Sequence, residues 1–510
     1  MIFRAPEDPV EIPDVALTPF LLRTVDTYGD KAALIDAPSG RTLTYRGWAD
    51  AVRKVAAGLS RRGLRKGDVF AIYSPNLPEY AIAFHAVSLL GAIVTTINPA
   101  YTVHELSRQL ADSGAKYLLT TPAFLDKATQ AGRENAAREI FVIGDSFDAL
   151  LTSDGEAPAV EIDPSNDVVA MPYSSGTTGM PKGVMLTHRN LVANVVQCAR
   201  VFGVKRDDVT LAVLPFFHIY GMNVIMNLGL HAGATIVTMP RFDLKECLQA
   251  IEKYRISYGF VVPPIMLALA KNPTIDAFDL SSVRILFSGA APLSENISDQ
   301  AAQRLGCKIN QGYGMTEASP ATHGTREDDA VGIGPPLPNT ESKIVDVTSG
   351  TELGPGEEGE VCVRGPQVMK GYLNNPDATA AMIDKEGWLH TGDIGSADAR
   401  GHFFVVDRVK ELIKYKGMQI APAELEAILL AHPAIADAAV VPMADEEAGQ
   451  VPKAFVVLKD RSSTEDIMTY VADRVARYKR VRYIEVIDQI PRSPSGKILR
   501  RVLVQRDLQR

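Results

Sequence analysis

Short apolar segments rich in β-branched residues alternate with amphipathic segments up to about residue 320, and this alternation restricts the chain to a layered α/β fold. From residue 68 the run DVFAIYSPNLPEYAIAFHAVSLLGAIVTTINP gives a strand, a turn, a helix and a second strand, which is a βαβ unit. Similar strand-like segments follow, among them AKYLLTT, EIFVIG, TLAVLPFF, ATIVTMP, ISYGFVVPP and VRILFSG. We therefore expect layered α/β subdomains in this part of the chain.

The pattern changes twice beyond this region. The segments ESKIVDV, GEEGEVCVRG and GHFFVVDRVKELIKY are interrupted by Gly and Pro, which favours a small antiparallel, β-barrel-like subdomain. Further on, PAELEAILLAH and TEDIMTYVADRVA have the spacing of helices, whereas ADAAVVPM and PKAFVVLK have that of strands. The fold class is thus α/β, with a large N-terminal lobe and a small, separable α+β C-terminal lobe.

Length, charge and cysteine usage exclude several classes of protein. At roughly 150 residues per domain, 510 residues correspond to about three folding units. The 53 basic and 61 acidic residues leave a net charge of −8, which predicts no nucleic-acid partner and no binding to an anionic membrane. The N-terminus MIFRAPEDPVEIPD is unlike a signal peptide, and no apolar stretch is long enough to span a membrane. The cysteines are widely separated, so we expect a cytoplasmic protein.

A string of small hydroxylic residues and glycines, Ser174-Ser-Gly-Thr-Thr-Gly-Met-Pro-Lys-Gly183, follows the apolar run DVVAMPY. Glycine lets backbone N–H groups approach phosphate oxygens, while Ser and Thr hydroxyls and Lys182 add donors and positive charge. The string therefore predicts a phosphate-binding loop. It lacks the GK[ST] ending of a Walker A motif, so a P-loop nucleotidase is not supported. A flexible surface loop would explain the glycines and serines but not the whole ordered string.

The same string resembles the signature of the adenylate-forming superfamily, which contains acyl-CoA and aryl-CoA synthetases, nonribosomal peptide adenylation domains and beetle luciferases. Further motifs of that superfamily are matched in chain order by Gln311-Gly-Tyr-Gly-Met-Thr-Glu317, His390-Thr-Gly-Asp393, Asp407-Arg408-Val-Lys410 and Ser495-Gly-Lys497. Each motif alone is a weak signal, but the ordered set spans nearly the whole chain. The resemblance implies an N-terminal AMP-binding domain over residues 1–409 and a mobile C-terminal domain over residues 410–510, with the hinge at Lys410.

The chemistry of that superfamily explains these residue types. When a carboxylate attacks the α-phosphorus of ATP, two anions meet, so cations and N–H donors must neutralise the transition state and the departing pyrophosphate. The resemblance implies that Lys497 bridges the carboxylate and the α-phosphate, that Thr316 hydrogen-bonds this phosphate, and that Glu317 holds Mg²⁺. Together with His218, these are the expected catalytic residues. Outside its motif, Lys497 would be interpreted as a solvated lysine in a basic tail.

The resemblance also assigns the residues that hold the nucleotide. Asp393 is expected to accept two hydrogen bonds from the ribose, and Arg408 to donate to hydroxyl or phosphate oxygens. In isolation, an Asp after Gly would be interpreted as a turn residue. The expected ATP and AMP contacts are Ser174, Ser175, Gly176, Thr177, Thr178, Lys182, Gln311, Gly312, Tyr313, Thr316, Asp393, Arg408, Lys414, Gln419 and Lys497.

The segment Pro215-Phe-Phe-His218-Ile-Tyr220-Gly resembles the matching stretch of 4-coumarate:CoA ligases and their bacterial relatives. That resemblance implies that His218 faces an acyl pocket and a CoA tunnel, whereas a single histidine near aromatic residues is otherwise a core residue. Val224 and Gly324 depart from the plant pattern, which leaves the acyl group open. The implied acyl pocket consists of His218, Tyr220, Val224, Ala290, Gly312, Pro320 and Gly324.

Contacts to coenzyme A are implied by two further positions. In the superfamily, the first lysine and the glutamine of the pattern Lys414-Tyr-Lys416-Gly417-Met-Gln419 serve the adenylate in one pose of the small lobe. The Lys416-Gly417 pair serves CoA in the other pose. Arg241 matches a position that meets a CoA phosphate, although a surface arginine after the strand ATIVTMP is a serious alternative.

The sequence thus predicts an ATP-dependent carboxylic acid:CoA ligase that uses ATP, Mg²⁺ and coenzyme A and acts on a hydroxycinnamate-like or cinnamate-like acid. Alternatives within the same chemistry are a medium- or long-chain fatty acyl-CoA synthetase and a carrier-protein-loading ligase. Alternatives from other classes are a luciferase-like oxygenase and a non-catalytic nucleotide-binding protein. A scaffold would have no physical need for Lys497, Glu317, Asp393 and Arg408 together. We expect a monomer or a homodimer.

Overall fold

The computed structural model describes residues 1–174, 181–408, 411–415, 418–445, 448–459, 462–475, 477–493 and 496–508. These residues form four β-sheets, three in a large lobe that ends at Arg408 and one in a small lobe that begins at Glu411. No helix among them is long and apolar enough to cross a membrane. The predicted α/β fold class with a smaller α+β C-terminal lobe is confirmed.

The first large sheet is built around buried parallel strands. Val69–Tyr73, with the sequence VFAIY, is buried at every position because helices cover both faces of a parallel sheet. Ile93–Ile97 and Ala115–Thr120 run parallel to it on either side, as the βαβ pattern predicts. In spatial order the sheet consists of Gly371–Tyr372, Lys182–Thr187, Val168–Ala170, Ile93–Ile97, Val69–Tyr73, Ala115–Thr120 and Glu139–Val142, with Tyr173–Ser174 paired to Lys182–Thr187.

The second large sheet ends in a hairpin that carries one of the sequence motifs. Lys308–Gly314 pairs in parallel with Ile285–Ser288 on one side and antiparallel with Ala321–Gly324 on the other. The motif that begins at Gln311 therefore lies at the edge of a rigid sheet. In spatial order this sheet consists of Ala321–Gly324, Lys308–Gly314, Ile285–Ser288, Tyr258–Val261, Val209–Ala212, Thr235–Thr238, Ala32–Asp36 and Thr42–Thr44.

Helices pack on these sheets and begin and end at residues that cap them. Val103–Ser113 starts with a capping box between Thr102 and Glu105 and ends at Gly114, whose φ of 66° only glycine adopts easily. The α-helices of the large lobe are Leu17–Leu22, Val25–Tyr28, Tyr45–Arg61, Pro78–Leu89, Val103–Ser113, Leu125–Glu134, Asp148–Leu151, His188–Val201, Leu228–Ala232, Leu244–Tyr254, Pro263–Lys271, Glu295–Leu305 and Pro376–Met382. Shorter 3₁₀ segments of the large lobe are Pro122–Phe124, Pro273–Ala277 and Thr316–Ala318.

One helix joins the sheets through buried amide side chains. His188–Val201 presents Asn194, whose Nδ2 donates to the Ala321 carbonyl at 2.8 Å and whose Oδ1 accepts from the Ala321 N–H at 3.2 Å. One turn further, Gln197 Nε2 donates to the Pro338 carbonyl at 2.8 Å. Both side chains are fully buried, so these bonds fix the edge hairpin and the segment before Glu341–Val345 against the helix.

The third sheet of the large lobe is antiparallel, as the Gly-rich and Pro-rich segments predict. Its strands share one continuous apolar core with the two larger sheets. The strands in spatial order are Phe3–Arg4, Glu341–Val345, Gly359–Arg364, Leu389–Ala397 and Phe403–Arg408.

The small lobe has an apolar core of its own, which includes Ile413, Leu425, Val440, Val456 and Ile467. Its sheet runs, in spatial order, through Met418–Ile420, Ile413–Tyr415, Gly449–Leu458 and Ile435–Asp445, with Tyr483–Val486 parallel to Gly449–Leu458. Its helices are Pro422–Leu430, Thr464–Ala472, Arg500–Leu508 and the 3₁₀ segment Arg477–Lys479. The predicted hinge, Lys410, lies outside the described residues, between the last strand of the large lobe and the first strand of the small one.

Candidate active site

An inner cavity lies beside the π-helical segment Tyr220–Asn227, at the edge hairpin of the second large sheet. Most of the residues predicted for the acyl pocket line it; Gly324 does not, because it lies behind Phe202. The cavity is lined by Phe202, His218, Ile219, Tyr220, Val224, Phe287, Gly289, Ala290, Gly312, Tyr313, Gly314, Met315, Thr316, Pro320, Ala321, His323 and Lys497.

Two glycines give the cavity its wall. A Cβ atom on Gly312 would lie 2.7 Å from the ring of Phe287, and one on Gly314 would lie 2.1 Å from the carbonyl oxygen of Pro320. Any larger residue would force the hairpin strands apart. The Tyr220 hydroxyl donates to the Phe287 carbonyl at 3.1 Å, which fixes the phenol ring.

The backbone around the cavity is irregular. Ala290 adopts a φ of 72°, an uncommon value for a residue with a Cβ atom. The eight residues from Tyr220 to Asn227 form a π-helix, a rare conformation that is frequent at functional sites. Such unfavourable conformations cluster at binding sites, where surrounding packing maintains them.

His218 lies in the inner cavity as a neutral imidazole. Burial, together with the nearby positive charge of Lys497, lowers the pKa of His218 to about 3. The Tyr220 backbone N–H donates to His218 Nδ1 at 3.2 Å, so in the neutral ring the proton resides on Nε2. The histidine is thus a hydrogen-bonding group rather than a cation in this cavity.

An outer cleft lies between the two lobes and meets the inner cavity. Ala290, Gly312, Tyr313, Gly314 and Lys497 line both. On the side of the large lobe the outer cleft is also lined by Pro263, Pro264, Leu267, Ala291, Pro292, Leu293, Ser294, Ile297, Gln311, Ile333, Asp393, Val405 and Val406. On the side of the small lobe it is also lined by Glu411, Ala423, Glu424, Glu426, Ala427, Leu430, Asp437, Ala438, Arg492, Ile498 and Arg500.

A β-bulge positions Asp393 at the outer cleft. In the strand pair, Cys362 faces His390 and Glu360 faces Ile394. The three residues 391–393 therefore lie opposite Val361 alone. The Glu360 Oε1 accepts from the Gly392 N–H at 2.9 Å and stabilises the bulge.

The carboxylate that the bulge presents is nearly buried and already has a donor. Asp393 is 8% exposed, and the Tyr313 hydroxyl donates to its Oδ2. Tyr313 lies on the edge hairpin of the second large sheet, so this bond connects two of the sequence motifs. A buried carboxylate at a cleft is suited to accept hydrogen bonds from hydroxyl groups.

Glu317 is a buried carboxylate at the other end of the same motif, and it is 2% exposed. The Tyr372 hydroxyl donates to its Oε1 at 2.8 Å, and both burial and this carboxylate raise the pKa of Tyr372, so the phenol stays protonated. Lys182 Nζ lies 5.2 Å from the centre of the Tyr372 ring. The strand pairing of Lys182 with Ser174 brings both ends of the predicted phosphate loop to this place.

Lys497 reaches the junction of the two cavities from a short hairpin of the small lobe. Its backbone N–H donates to Ser493 Oγ at 3.1 Å, and its carbonyl accepts from the Ser493 N–H at 2.8 Å. Arg492 supports the hairpin, because its guanidinium donates to the Gly496 carbonyl at 3.0 Å and to Asp437 Oδ1 at 2.8 Å. These bonds hold the lysine backbone on the side that faces the large lobe.

Several predicted residues are not assembled at this site. Arg241 is a surface residue with a side chain 77% exposed, 3.8 Å from Glu246, and it lines neither cavity. At Arg408, Lys414 and Gln419 the backbone alone is described; Asp393 pairs with Arg408, and Lys414 with Gln419. Predicted residues outside the described part of the chain are Ser175, Gly176, Thr177, Thr178, Lys410, Lys416 and Gly417.

Sequence reasoning missed part of the inner cavity. Phe202, Phe287 and Gly289 line it, yet none belongs to a motif. Phe202 follows a helix and Phe287 lies in a strand, so only tertiary packing brings their rings together, with 4.2 Å between the ring centres. The string FSGA around Phe287 was a usable signal, since a glycine after a buried strand marks the strand's carboxyl end, where ligands bind in open α/β sheets.

Comparisons with family models and known proteins find similarity over nearly the whole chain. A family model described as AMP-binding enzyme matches residues 21–373, and one described as AMP-binding enzyme C-terminal domain matches residues 424–497. The chain is 46% identical to 4-coumarate--CoA ligase 5 of Oryza sativa subsp. japonica, over 98% of this chain and 96% of that protein.

Two solved structures resemble the fold over nearly its whole length. ATP-bound MatB from Rhodopseudomonas palustris superposes with a TM-score of 0.90 at 27% identity, over 98% of this chain and 100% of that one. The anthranilate CoA ligase AuaEII in complex with anthranoyl-AMP gives a TM-score of 0.90 at 27% identity, over 98% of each chain.

Proposed function

Because the chain belongs to the AMP-binding enzyme family, we propose that it is an ATP-dependent carboxylic acid:CoA ligase that acts on a hydroxycinnamate-like or cinnamate-like aromatic acid. It first joins the acid to AMP with release of pyrophosphate and then transfers the acyl group to the thiol of coenzyme A. The position of Lys497 carries this proposal. Its side chain lines both the inner cavity and the outer cleft, so one ammonium group lies where an acid and a nucleotide phosphate would meet.

The inner cavity is the proposed acyl pocket. Its lining is dominated by aromatic and small apolar residues, and the cationic group in that lining is Lys497 at the mouth. A flat aromatic acid can stack its ring between Tyr220 and the glycine wall while its carboxylate reaches Lys497. A second carboxylate deeper in the cavity would be desolvated without a counter-charge, so dicarboxylates should be poor substrates.

The outer cleft is the proposed nucleotide site. Asp393 accepts hydrogen bonds from the ribose hydroxyls, and Tyr313 and Gln311 line the space for the base. Thr316 donates to the α-phosphate, and we assign Ser174, Lys182 and the residues between them to the outer phosphates, as the family pattern implies. We further assign Arg408, Lys414 and Gln419 to the nucleotide, as the family pattern implies.

Glu317 fits a Mg²⁺ ligand. Its Oε1 is engaged by Tyr372, and within the described part of the chain no side chain bonds its Oε2, which leaves one hard oxygen for the ion. When bound, Mg²⁺ would neutralise charge on the departing pyrophosphate. Lys182 and Thr316 supply the remaining positive charge and hydrogen-bond donation from this chain.

The thioester step requires a different pose of the small lobe. Lys497 occupies the junction of the cavities in the structure, so the thiol must enter after this lobe has turned about Lys410. We assign Lys416, Gly417 and Arg241 to coenzyme A in that second pose. His218 is neutral in the acyl cavity and can accept or donate a hydrogen bond there without adding charge.

A panel of acids tests this proposal. ATP–pyrophosphate exchange is measured with cinnamates, benzoates, medium- and long-chain fatty acids and succinate, followed by mass spectrometry of the products formed with excess CoA. We expect exchange and CoA thioesters with the cinnamates and little of either with succinate. Exchange with fatty acids alone would show that the acyl class is wrong. Exchange without any CoA thioester would indicate a carrier protein as the acceptor, and no exchange with any acid would contradict adenylation itself.

A further inference from the structure

Three side chains on two neighbouring antiparallel strands converge behind the bulge that holds Asp393. Glu360 and Cys362 are two positions apart in Gly359–Arg364, so they face the same side of the sheet. His390 is the cross-strand partner of Cys362. The ligand atoms of Glu360, Cys362 and His390 lie within 4.8 Å of one another.

The atoms that converge are those that bind thiophilic divalent cations. His390 Nδ1 lies 2.9 Å from Glu360 Oε2 and 3.5 Å from Cys362 Sγ. Ligand atoms around a tetrahedral zinc ion are separated by about 3.3–3.6 Å, given bonds of about 2.0–2.3 Å. The nitrogen–sulfur distance already matches this separation, and the nitrogen–oxygen distance needs to open by a few tenths of an ångström.

The surroundings of His390 match those of a metal-bound imidazole. The far nitrogen, Nε2, lies 3.5 Å from Asp384 Oδ2, and a carboxylate is one of the groups, with backbone carbonyls and water, that orient metal-ligating histidines through that nitrogen. Asp384 is itself fixed, since its Oδ1 accepts from the backbone N–H groups of Glu386 and Trp388 at 2.8 and 2.9 Å.

The cluster is both anchored and accessible. Cys362 is fully buried beside Trp388, whereas the His390 side chain is 35% exposed, so an ion can enter from solvent past the ring. Sulfur and imidazole ligands select zinc over magnesium. The ion that this cluster prefers therefore differs from the ion preferred by the oxygen ligand Glu317.

We propose that Glu360, Cys362 and His390 form a binding site for a divalent cation of the zinc class. Binding replaces the thiol proton of Cys362 and the Nδ1 proton of His390, both of which pass to water, and leaves the fourth position of the ion to a water molecule. Because Glu360 also bonds the Gly392 N–H, the occupied site shifts the bulge that presents Asp393.

Cobalt absorption tests the site directly. Titration of the full-length, nucleotide-free protein with Co²⁺ should produce visible absorption bands and a near-ultraviolet thiolate-to-metal band. Both should saturate at one equivalent of Co²⁺. In Cys362→Ser the near-ultraviolet band should disappear, and the Zn²⁺ affinity, measured by competition with a chromophoric chelator, should fall at least tenfold. Cys307→Ser is the matched control, since it removes another buried thiol elsewhere in the lobe, and it should leave both unchanged.

His390→Gln provides a second variant in case the serine variant does not fold. Its thermal unfolding is compared with that of the parent, and its Zn²⁺ affinity should also fall at least tenfold. Absence of a thiolate band in the parent, or a band of equal strength in folded Cys362→Ser, would overturn the proposal. These spectra need no nucleotide, so they are independent of the proposed function.

The effect of the bound cation on Asp393, and so on ATP binding, rests on the proposed nucleotide site and is tested separately. Zn²⁺ should raise the KM for ATP at least threefold in the parent but not in Cys362→Ser. An equal rise in both proteins would contradict the coupling.

Discussion

At the scale of single residues, Lys497 is expected to act in adenylation only. It lines the junction of the two cavities in the present position of the small lobe, and a rotation of that lobe would carry it away. We expect Lys497→Ala to slow adenylate formation by roughly 10²-fold or more, since the charge that develops between carboxylate and phosphate loses its neutralising cation. Thioester formation from supplied acyl-adenylate should stay at the parental rate.

The two half-reactions are measured separately by pyrophosphate exchange and by CoA thioester formation. Lys459→Ala removes an exposed lysine of the same lobe and should leave both rates unchanged. An equal loss in both half-reactions of Lys497→Ala would show that the lysine acts in binding or folding rather than in the first step.

At the scale of the element, the hairpin that carries Lys497 depends on Arg492. Its guanidinium joins the Gly496 carbonyl to the Asp437 carboxylate, so it holds the backbone next to the lysine. We expect Arg492→Ala to slow adenylation roughly tenfold, because Lys497 is then held less accurately. This loss corresponds to about 1.4 kcal/mol of activation free energy. Arg492→Lys should recover part of this loss, because a single ammonium can still reach one of the two acceptors.

The control for this prediction is Arg474→Ala. Arg474 belongs to the same lobe, but its guanidinium packs on the ring of Tyr470 and not on the Lys497 hairpin. Thioester formation from supplied adenylate should be unaffected in both alanine variants. A parallel loss of both half-reactions in Arg492→Ala would mean that the small lobe as a whole has been destabilised.

Elements differ in how far the sequence determines them. The strand Val69–Tyr73 could be predicted because five successive apolar residues leave little choice but a buried strand. The bulge at Asp393 could not, since it depends on the register between two strands whose partners are far apart in the chain, as Cys362 and His390 are at 28 residues. Motif residues were predictable by resemblance, whereas Phe202 and Gly324 meet through packing that leaves no local pattern.

At the scale of the whole molecule, buried neutral histidines make stability depend on pH. Burial lowers the pKa of His85, His218 and His323 to about 3 and that of His188 to about 4. The unfolded chain takes up these protons below about pH 6.5 and the folded chain does not. The contribution of these four histidines to the stability is therefore complete above pH 6.5 and is lost progressively as the pH falls towards 4 and 3.

For one such histidine the loss between pH 7 and pH 5 is about 2 kcal/mol. We expect His85→Gln to flatten the pH dependence of the unfolding free energy by that amount, whatever its effect at pH 7. Denaturant unfolding at the two pH values measures it, with the exposed His104→Gln as the control. An unchanged difference between the two pH values would show that His85 is protonated in the folded protein.

The relative position of the two lobes can be locked where the Lys497 hairpin touches the large lobe. A Cβ atom on Gly496 would lie 3.4 Å from the Cβ of Val262, close to the separation of about 3.5–4.5 Å found across disulfides. We expect the oxidised Val262→Cys/Gly496→Cys variant to retain adenylation and to lose thioester formation, because the lobe can no longer turn. A reductant should restore the thioester step.

Gly496 has a φ of 82°, so the single variant Gly496→Cys measures the effect of a side chain in that conformation alone. The native cysteines are buried and should not compete for the new bond. Mass spectrometry establishes the crosslink before each assay. Thioester formation at the parental rate in the fully crosslinked protein would mean that coenzyme A reaches the adenylate without any rotation of the small lobe.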